Sequence, residues 1–367
     1  MDLIKKYIDE VVIEKLGIPY YDVLVKKGYD TIYRYHVNKT NTSTGDERLY
    51  MYSCSKLITV TLGFLLIEKG YIKLDDNLDK YFPAFKNTFI LKDGVKTPTQ
   101  NKIKIHHLFT MTAGFNYYFY ELKSIADAFL LNPKSTTLDI INVLATQPLD
   151  FEPGEKFNYS LCHDVLAGVY EVATGEKFSD LAEKYVFKPL KMERSTFKKV
   201  YFGLEPLYFS RKNGAIIPYE EKAVCSNHES YESGGGGLKS TVEDISKLLE
   251  VLANDGLTKD GAEFISKESI KVMTTPTSNI SFVSDFTSII GTDYDYGYGV
   301  RVRKVDTDFN LKKGEFGWDG AAGSYMMIDP INNISISVGM HVRNWPAVFE
   351  KGNLKLVEII YNELFNK

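Results

Sequence analysis

The sequence predicts an α/β fold, a sheet flanked by helices into which a mostly helical lobe is inserted. Three observations predict it. Alternating β-rich runs occur near both chain ends, at Tyr21–Lys27 and Thr31–Val37 and again at Gly297–Lys304, Phe316–Met327 and Ile334–His341. Between them, Leu74 to about Pro206 carries mostly helical patterning, with loops marked at Pro83, Gly114, Pro133 and Pro153-Gly154. Amphipathic helices open and close the chain. Strands from both ends bracketing a helical stretch predict one discontinuous sheet domain, residues 1–75 and 208–367, with residues 76–207 as the inserted lobe. A cleft between two such lobes is a natural place for a site.

Each element has a local cause. In MDLIKKYIDEVVIEKL the residues Leu3, Ile4, Tyr7, Ile8, Val11 and Val12 recur at helical spacing, so the chain opens on an amphipathic surface helix. The next two runs are joined by Gly28-Tyr29-Asp30, a hairpin signal. After a polar loop at 38–48, a helix begins near Ser53 and is capped by Gly70. Ser233–Gly237 is a glycine-rich turn that leads into a helix from about Thr241 to Asn254. The last helix runs from about Val348 to Phe365.

Composition narrows the function. The 367 residues are 44% apolar and 25% charged, which excludes disordered, collagen-like and membrane-spanning classes. A net charge of −4 leaves no positive field for nucleic acid or an anionic membrane. The longest apolar run, Leu57–Ile67, has eleven residues, too few to cross a bilayer, and reads as a buried helix. Cys54, Cys162 and Cys225 are too few and too scattered for a disulfide framework. With no export-signal pattern in the opening helix, they predict a cytoplasmic location.

Three short motifs carry possible chemistry. The first is Ser53-Cys54-Ser55-Lys56 at the start of the apolar helix. A serine hydroxyl is a weak nucleophile until a base takes its proton. Lys56 lies three residues on, so it shares a helix face with Ser53. Burial would favour the neutral amine, able to act as base or relay. A serine at a helix N-terminus also sits beside free N–H groups that can stabilise an oxyanion. Alone the spacing is weak, since an N-cap with a solvated lysine has the same pattern. Ser195-Thr196-Phe197-Lys198 repeats it without an apolar helix and reads as a surface loop. The second motif is Tyr159, after the turn at Pro153-Gly154 and before a buried helix at Val165–Tyr170; its hydroxyl could shuttle protons. The third is Trp318-Asp319-Gly320, followed by Ala321-Ala322-Gly323. Glycine beside a strand marks either a tight bend or a close approach of ligand.

These motifs, in this order, resemble the serine β-lactamase and penicillin-binding-protein superfamily, nearest the branch of class C β-lactamases and related esterases. Supporting stretches are Gly70–Asp76 through Pro83, Ile105–Phe115, Pro153-Gly154 with Phe157–Ser160, Gly235–Thr241 and Tyr296–Val300. The resemblance spans roughly residues 10–345. It implies a β-lactamase-like antiparallel sheet with an inserted helical lobe. It also implies Ser53 as the acylated nucleophile, Lys56 as its activating partner and Tyr159 as proton relay. The amides of Ser53 and Ala321 would form the oxyanion hole. No cofactor and no metal is implied.

Two departures bear on substrate. The family's Tyr-x-Asn is here Tyr159-Ser160-Leu161, and a leucine makes no hydrogen bond to a substrate amide or to the lysine. The usual Lys-Thr-Gly is replaced by Trp318-Asp319-Gly320. Tryptophan brings no cation, and Asp319 would repel a carboxylate if it faced the site. A tryptophan wall suits a neutral acyl or alcohol group. The resulting expectation is a carboxylesterase for small neutral esters. The alternatives are an amidase or D-aminopeptidase taking a cationic substrate through Asp319, a weak β-lactamase, and a silent relative that binds a ligand. The partner is a small ester or amide, not nucleic acid or membrane; oligomeric state is not readable.

Other candidates have bland readings. His106-His107 has no third metal ligand nearby. His163 could orient Tyr159 but more simply packs. Cys54 and Cys162 read as buried thiols. Asp75-Asp76 reads as a loop or cap. Asn116–Tyr120 could line the cleft or pack within the lobe.

Overall fold

A computed structural model describes residues 2–39, 45–117, 123–221, 227–277, 281–282, 291–344 and 352–365. Tyr118–Tyr120 of the aromatic run, Cys225 and the predicted start of the last helix at Val348 lie outside the described residues. At the centre is a seven-stranded sheet drawn from both chain ends. Its strands are β1 (Tyr20–Lys27), β2 (Asp30–Asn38), β3 (Tyr294–Tyr296), β4 (Arg301–Arg303), β5 (Phe316–Asp319), β6 (Tyr325–Asp329) and β7 (Ile334–Met340). They lie in the order β3-β4-β5-β6-β7-β1-β2, every neighbouring pair antiparallel. β1 sits between β7 and β2, with Val23 opposite both Val338 and Tyr35. This pairing ties the N-terminal hairpin into the C-terminal sheet.

Side chains alternate across each strand, and the two faces feed separate cores. On β6, Tyr325 and Met327 join one cluster while Met326 and Ile328 join the other. The first face is covered by α1 (Asp2–Tyr7), its wider-turned continuation Ile8–Lys15, and α5 (Lys355–Phe365). Ile4, Ile8 and Val12 are buried there at intervals of four, and Leu3, counted in the predicted stripe, falls outside this row and is exposed. The second face is covered by α2 (Ser55–Glu68) and α4 (Val242–Ala253), and α3 (Cys162–Thr174) packs on α2 in the same core. α4 can lie close because β7 offers small residues. A Cβ at Gly339 would come within 2.6 Å of Leu49 and of Val242. Ser337 donates to the Val242 carbonyl at 3.1 Å.

α2 is buried on all sides from Ser55 to Leu66, as the apolar run predicts. It ends at Gly70, φ +77°, where the Gly70 and Tyr71 amides donate back to Ile67 and Leu66. The sequence reading departs from the structure at three points. Phe89–Lys92 pairs with Val95–Pro98 as a hairpin, where helix was expected. Its Asp93-Gly94 turn, both residues at positive φ, is the favoured two-residue hairpin signal. Gly297–Gly299, expected as strand, forms a turn between β3 and β4. A Cβ at Gly299 would lie 2.2 Å from Val60 of α2. Phe316–Met327, expected as one strand, breaks into β5 and β6 because Gly320 and Gly323 close a tight turn through Gly320 N–H to Ser324 O (2.7 Å) and Gly323 N–H to Gly320 O (2.8 Å). No helix among the described residues is long and apolar enough to cross a membrane.

Candidate active site

Ser53 occupies a 3-10 turn, Tyr52–Cys54, that runs directly into α2. Tyr52 holds φ +44°, a region that bulky residues rarely adopt. Such strain persists only where surrounding bonds enforce it. Here they come from the glycine-rich turn. The Leu238 amide donates to Ser55 Oγ (2.9 Å), Thr59 Oγ1 donates to Gly234 O (2.7 Å), and Lys56 Nζ donates to Gly235 O (2.6 Å). Glycine is needed at both positions. A Cβ at Gly234 would fall 2.3 Å from the His163 carbonyl, and one at Gly235 would fall 2.5 Å from an Asp164 oxygen. Asp164 itself accepts from Tyr231 Oη at 2.8 Å and from Ser233, which fixes the turn to α3.

Lys56 is fully buried, and its Nζ donates to Ser53 Oγ at 3.2 Å. It also lies over two aromatic rings, 4.7 Å from the centroid of Tyr159 and 5.7 Å from that of Tyr117. Tyr159 precedes α3 in a segment pinned by its neighbour. The Asn158 amide donates to Met111 O (2.9 Å), and Asn158 Nδ2 donates to Phe115 O (2.9 Å) and Asp150 (3.2 Å). The Tyr159 ring stacks on Trp318 with centroids 5.5 Å apart, and its hydroxyl oxygen accepts the Trp318 indole N–H at 3.1 Å.

Trp318 shares a face of β5 with Phe316, and both belong to the α2-side core. The turn that follows lies against the Ser53 segment. A Cβ at Gly320 would be 2.5 Å from Met51 O and 3.5 Å from Cys54 Sγ. The Cys54 thiol donates to Trp318 O (3.8 Å) and Ser324 O (3.6 Å). Ala321 is exposed at the tip, and among the described residues neither its amide nor that of Ser53 makes a hydrogen bond. Two free N–H groups on abutting turns are what an oxyanion requires.

The fold thus gathers Ser53, Lys56, Tyr159, Trp318 and the Gly320-Ala321 backbone. It does not bring in the Asp319 carboxylate. Asp319 points to the opposite face of β5, level with Tyr325, and pairs with the buried Arg301 at 3.2 Å. Burial pushes its carboxyl up to about 6, with Arg301 opposing and Glu315 adding to the shift. Leu161 is fully buried at the N-cap of α3 and offers no polar group. Two further participants carry no local signature among the residues around them. Arg301 is one basic residue in a β-rich run, and the lysine's acceptor at Gly235 is a backbone atom.

The remaining candidates serve packing. His163 is buried and held neutral, its ring pushed well below its usual range by burial and by Lys56, and it makes no bond to Tyr159 among the described residues. His107 Nδ1 accepts the Lys104 amide at 3.1 Å, a helix cap. No group of three or more His, Cys, Asp or Glu side chains among the described residues could hold a metal. Ser195, expected on a surface loop, is buried against Ser240 and Asp244, while Lys198 turns away to Asp180. Cys54 and Cys162 are buried free thiols, raised by burial, Cys162 to about 12. Asp76 caps its loop, accepting from the Lys73 amide, Lys80 and Tyr81.

Comparison with known proteins bears on the family and the fold. A family model described as Beta-lactamase matches residues 8–358. Esterase EstB of Burkholderia gladioli is 28% identical over 230 residues, 56% of this chain and 57% of its own length. Among solved structures, EstCE1, a hydrolase with promiscuous acyltransferase activity, superposes with a TM-score of 0.78 at 21% identity, covering 99% of both chains. An octameric penicillin-binding protein homologue from Pyrococcus abyssi superposes at 0.74 with 21% identity, covering 100% of this chain and 78% of its own.

Proposed function

The chain belongs to the Beta-lactamase family, and on that premise we propose that it is a serine hydrolase acylated at Ser53, acting on small neutral carboxylic esters. One observation carries the reading. Lys56 Nζ lies 3.2 Å from Ser53 Oγ and 4.7 Å from the centroid of the Tyr159 ring, whose hydroxyl oxygen accepts the Trp318 indole N–H at 3.1 Å. In this reading the Lys56–Tyr159 pair reacts with one proton fewer than an ammonium and a phenol, as a neutral amine beside a phenol, and it takes the Ser53 proton as Oγ attacks the ester carbonyl. The amides of Ser53 and Ala321 take the oxyanion. The proton then goes to the leaving alkoxide, the alcohol departs, and water cleaves the acyl-enzyme by the same relay in reverse.

Ester preference rests on the third motif. Trp318, its N–H given to Tyr159, supplies an apolar wall where the family's usual third motif carries a lysine, so a substrate carboxylate finds no cation on that residue. The alternative of a cationic amide substrate loses its support, because Asp319 is turned away and already paired with Arg301. The name of EstB agrees with an esterase. The test is hydrolysis of p-nitrophenyl butyrate by wild type and Ser53→Ala, with nitrocefin in parallel. Ester turnover that vanishes in Ser53→Ala, with little nitrocefin cleavage, is expected. Ser53-independent turnover, or none, would overturn the proposal.

A further inference from the structure

We propose that Arg301 is a positioning residue: through its ion pair with Asp319 it holds the end of β5 so that the Ala321 amide faces the Ser53 turn. The proposal rests on the Ser53 reading above and adds a residue on the far side of the sheet from it.

The geometry has three parts. First, Arg301 is fully buried in β4, and its guanidinium donates to three acceptors. Nη1 donates to Asp319 Oδ1 at 3.2 Å; Nη2 donates to Glu315 Oε1 at 3.0 Å and to Met326 O at 3.1 Å. The group also lies 4.6 Å from the Tyr325 ring centroid. One side chain therefore grips both ends of β5 and the facing backbone of β6. Second, the backbone that accepts from Arg301 lies so close to β5 that residue 317 has to be glycine. Gly317 stands opposite Arg301, and a Cβ there would fall 2.0 Å from the same Met326 oxygen. Third, the catalytic turn is closed by its own Gly320–Ser324 and Gly323–Gly320 bonds and is anchored to the rest of the molecule at its flanks. Ala321 makes no hydrogen bond among the described residues, Ala322 O accepts the Val342 amide at 3.0 Å on one side, and on the other Asp319 is held by Arg301. A charge-assisted fork fixes direction as well as distance. Releasing Asp319 would free the near flank, and the amide's aim with it.

Titration gives this device a signature. The groups facing the pair are Arg303 from β4, Tyr294 from β3, Glu315 ahead of β5, Tyr325 from β6 and Cys54 from the Ser53 turn. Burial holds the two tyrosines and the thiol protonated, and Arg303 stays charged. Asp319, raised to about 6, loses its charge as pH falls through that value.

The experiment uses the full chain as wild type, Asp319→Asn and Arg301→Met. It reads kcat and KM for p-nitrophenyl butyrate, and the rate of fluorophosphonate labelling at Ser53 located by mass, from pH 5 to 8. Wild-type kcat should fall with a midpoint near 6. Asp319→Asn should lower kcat at pH 7 about fivefold, the difference between a charged and a neutral hydrogen bond, with KM within about twofold. It should also lose the acid limb. Arg301→Met should lose more. If that variant does not fold, Asp319→Asn decides alone, since it keeps volume and an acceptor for Arg301. A purely structural role would lower the melting temperature and leave the pH profile unmoved. Wild-type kcat that stays level from pH 7 to 5, or an unmoved acid limb in Asp319→Asn, would overturn the positioning role while Ser53 labelling still stood. Wild type that takes no label at Ser53 would overturn the Ser53 reading and this inference with it.

Discussion

Replacing Trp318 with phenylalanine separates the two jobs its indole can do. The ring stacks on Tyr159 at 5.5 Å and meets the edge of Tyr296 at 5.3 Å, and phenylalanine preserves most of that packing. What it removes is the N–H donated to the Tyr159 oxygen at 3.1 Å. A hydrogen bond between neutral groups nets about 1 kcal/mol, and one to a charged group about 1.5–3 kcal/mol. As Tyr159 gives up its proton in the relay, its oxygen gains negative charge, so the bond strengthens in the transition state. The difference, about 1–2 kcal/mol, corresponds to a loss of roughly 5- to 30-fold in kcat. KM should hold, because the ground-state bond is the weaker one. Stopped-flow acylation with p-nitrophenyl butyrate, read beside kcat and KM, measures this directly. Thermal denaturation accounts for the lost ring, about 1–2 kcal/mol of stability. A Trp318→Phe enzyme with raised KM and unchanged kcat would refute the donor argument and leave Trp318 as a wall. Wild-type kinetics throughout would refute both.

Three other predictions follow from the same geometry. Gly235→Ala puts a Cβ 2.5 Å from Asp164 and 3.5 Å from Lys56 Nζ; kcat should fall at least about tenfold, with about 1–3 kcal/mol of stability lost, read by steady-state kinetics and urea unfolding. Gly317→Ala drives a Cβ to 2.0 Å from a backbone oxygen of β6, which cannot yield as a side chain could; roughly 3 kcal/mol or more should be lost, visible as a lowered melting temperature. His341, its ring lowered to about 4 by burial, accepts the Tyr50 amide at Nε2 (3.0 Å) and faces Pro206 O through Nδ1 (3.2 Å). It is therefore neutral when folded, while the unfolded chain takes up a proton near pH 6.5. The unfolded state binds more protons between those values, so the stability is present above pH 6.5 and is lost as pH falls toward 4. The loss reaches about 3 kcal/mol. Calorimetry from pH 7 to 4.5 should show that slope in wild type and a shallower one in His341→Gln; equal slopes would assign the acid lability elsewhere.

Features that depend on short-range pattern can be read from neighbouring residues alone. Alternation placed β1, β2 and β7, and the apolar run with Gly70 placed α2 and its cap, because period and φ > 0 are written in adjacent residues. Spacing also put Lys56 one turn from Ser53, where the fold has it at 3.2 Å. The Asp93-Gly94 turn is a local signal too, set within patterning that is otherwise helical. Tertiary structure alone decided which way each side chain turns and what it meets. Nothing near Trp318 in the sequence says that its indole N–H meets Tyr159, 159 residues away. Nor does it say that Asp319, the next residue, faces the opposite core and a buried arginine. The reason is the pleat: along a strand, neighbouring side chains enter different layers. Which layer holds the chemistry depends on strands and helices that pair only after the distant chain ends have met.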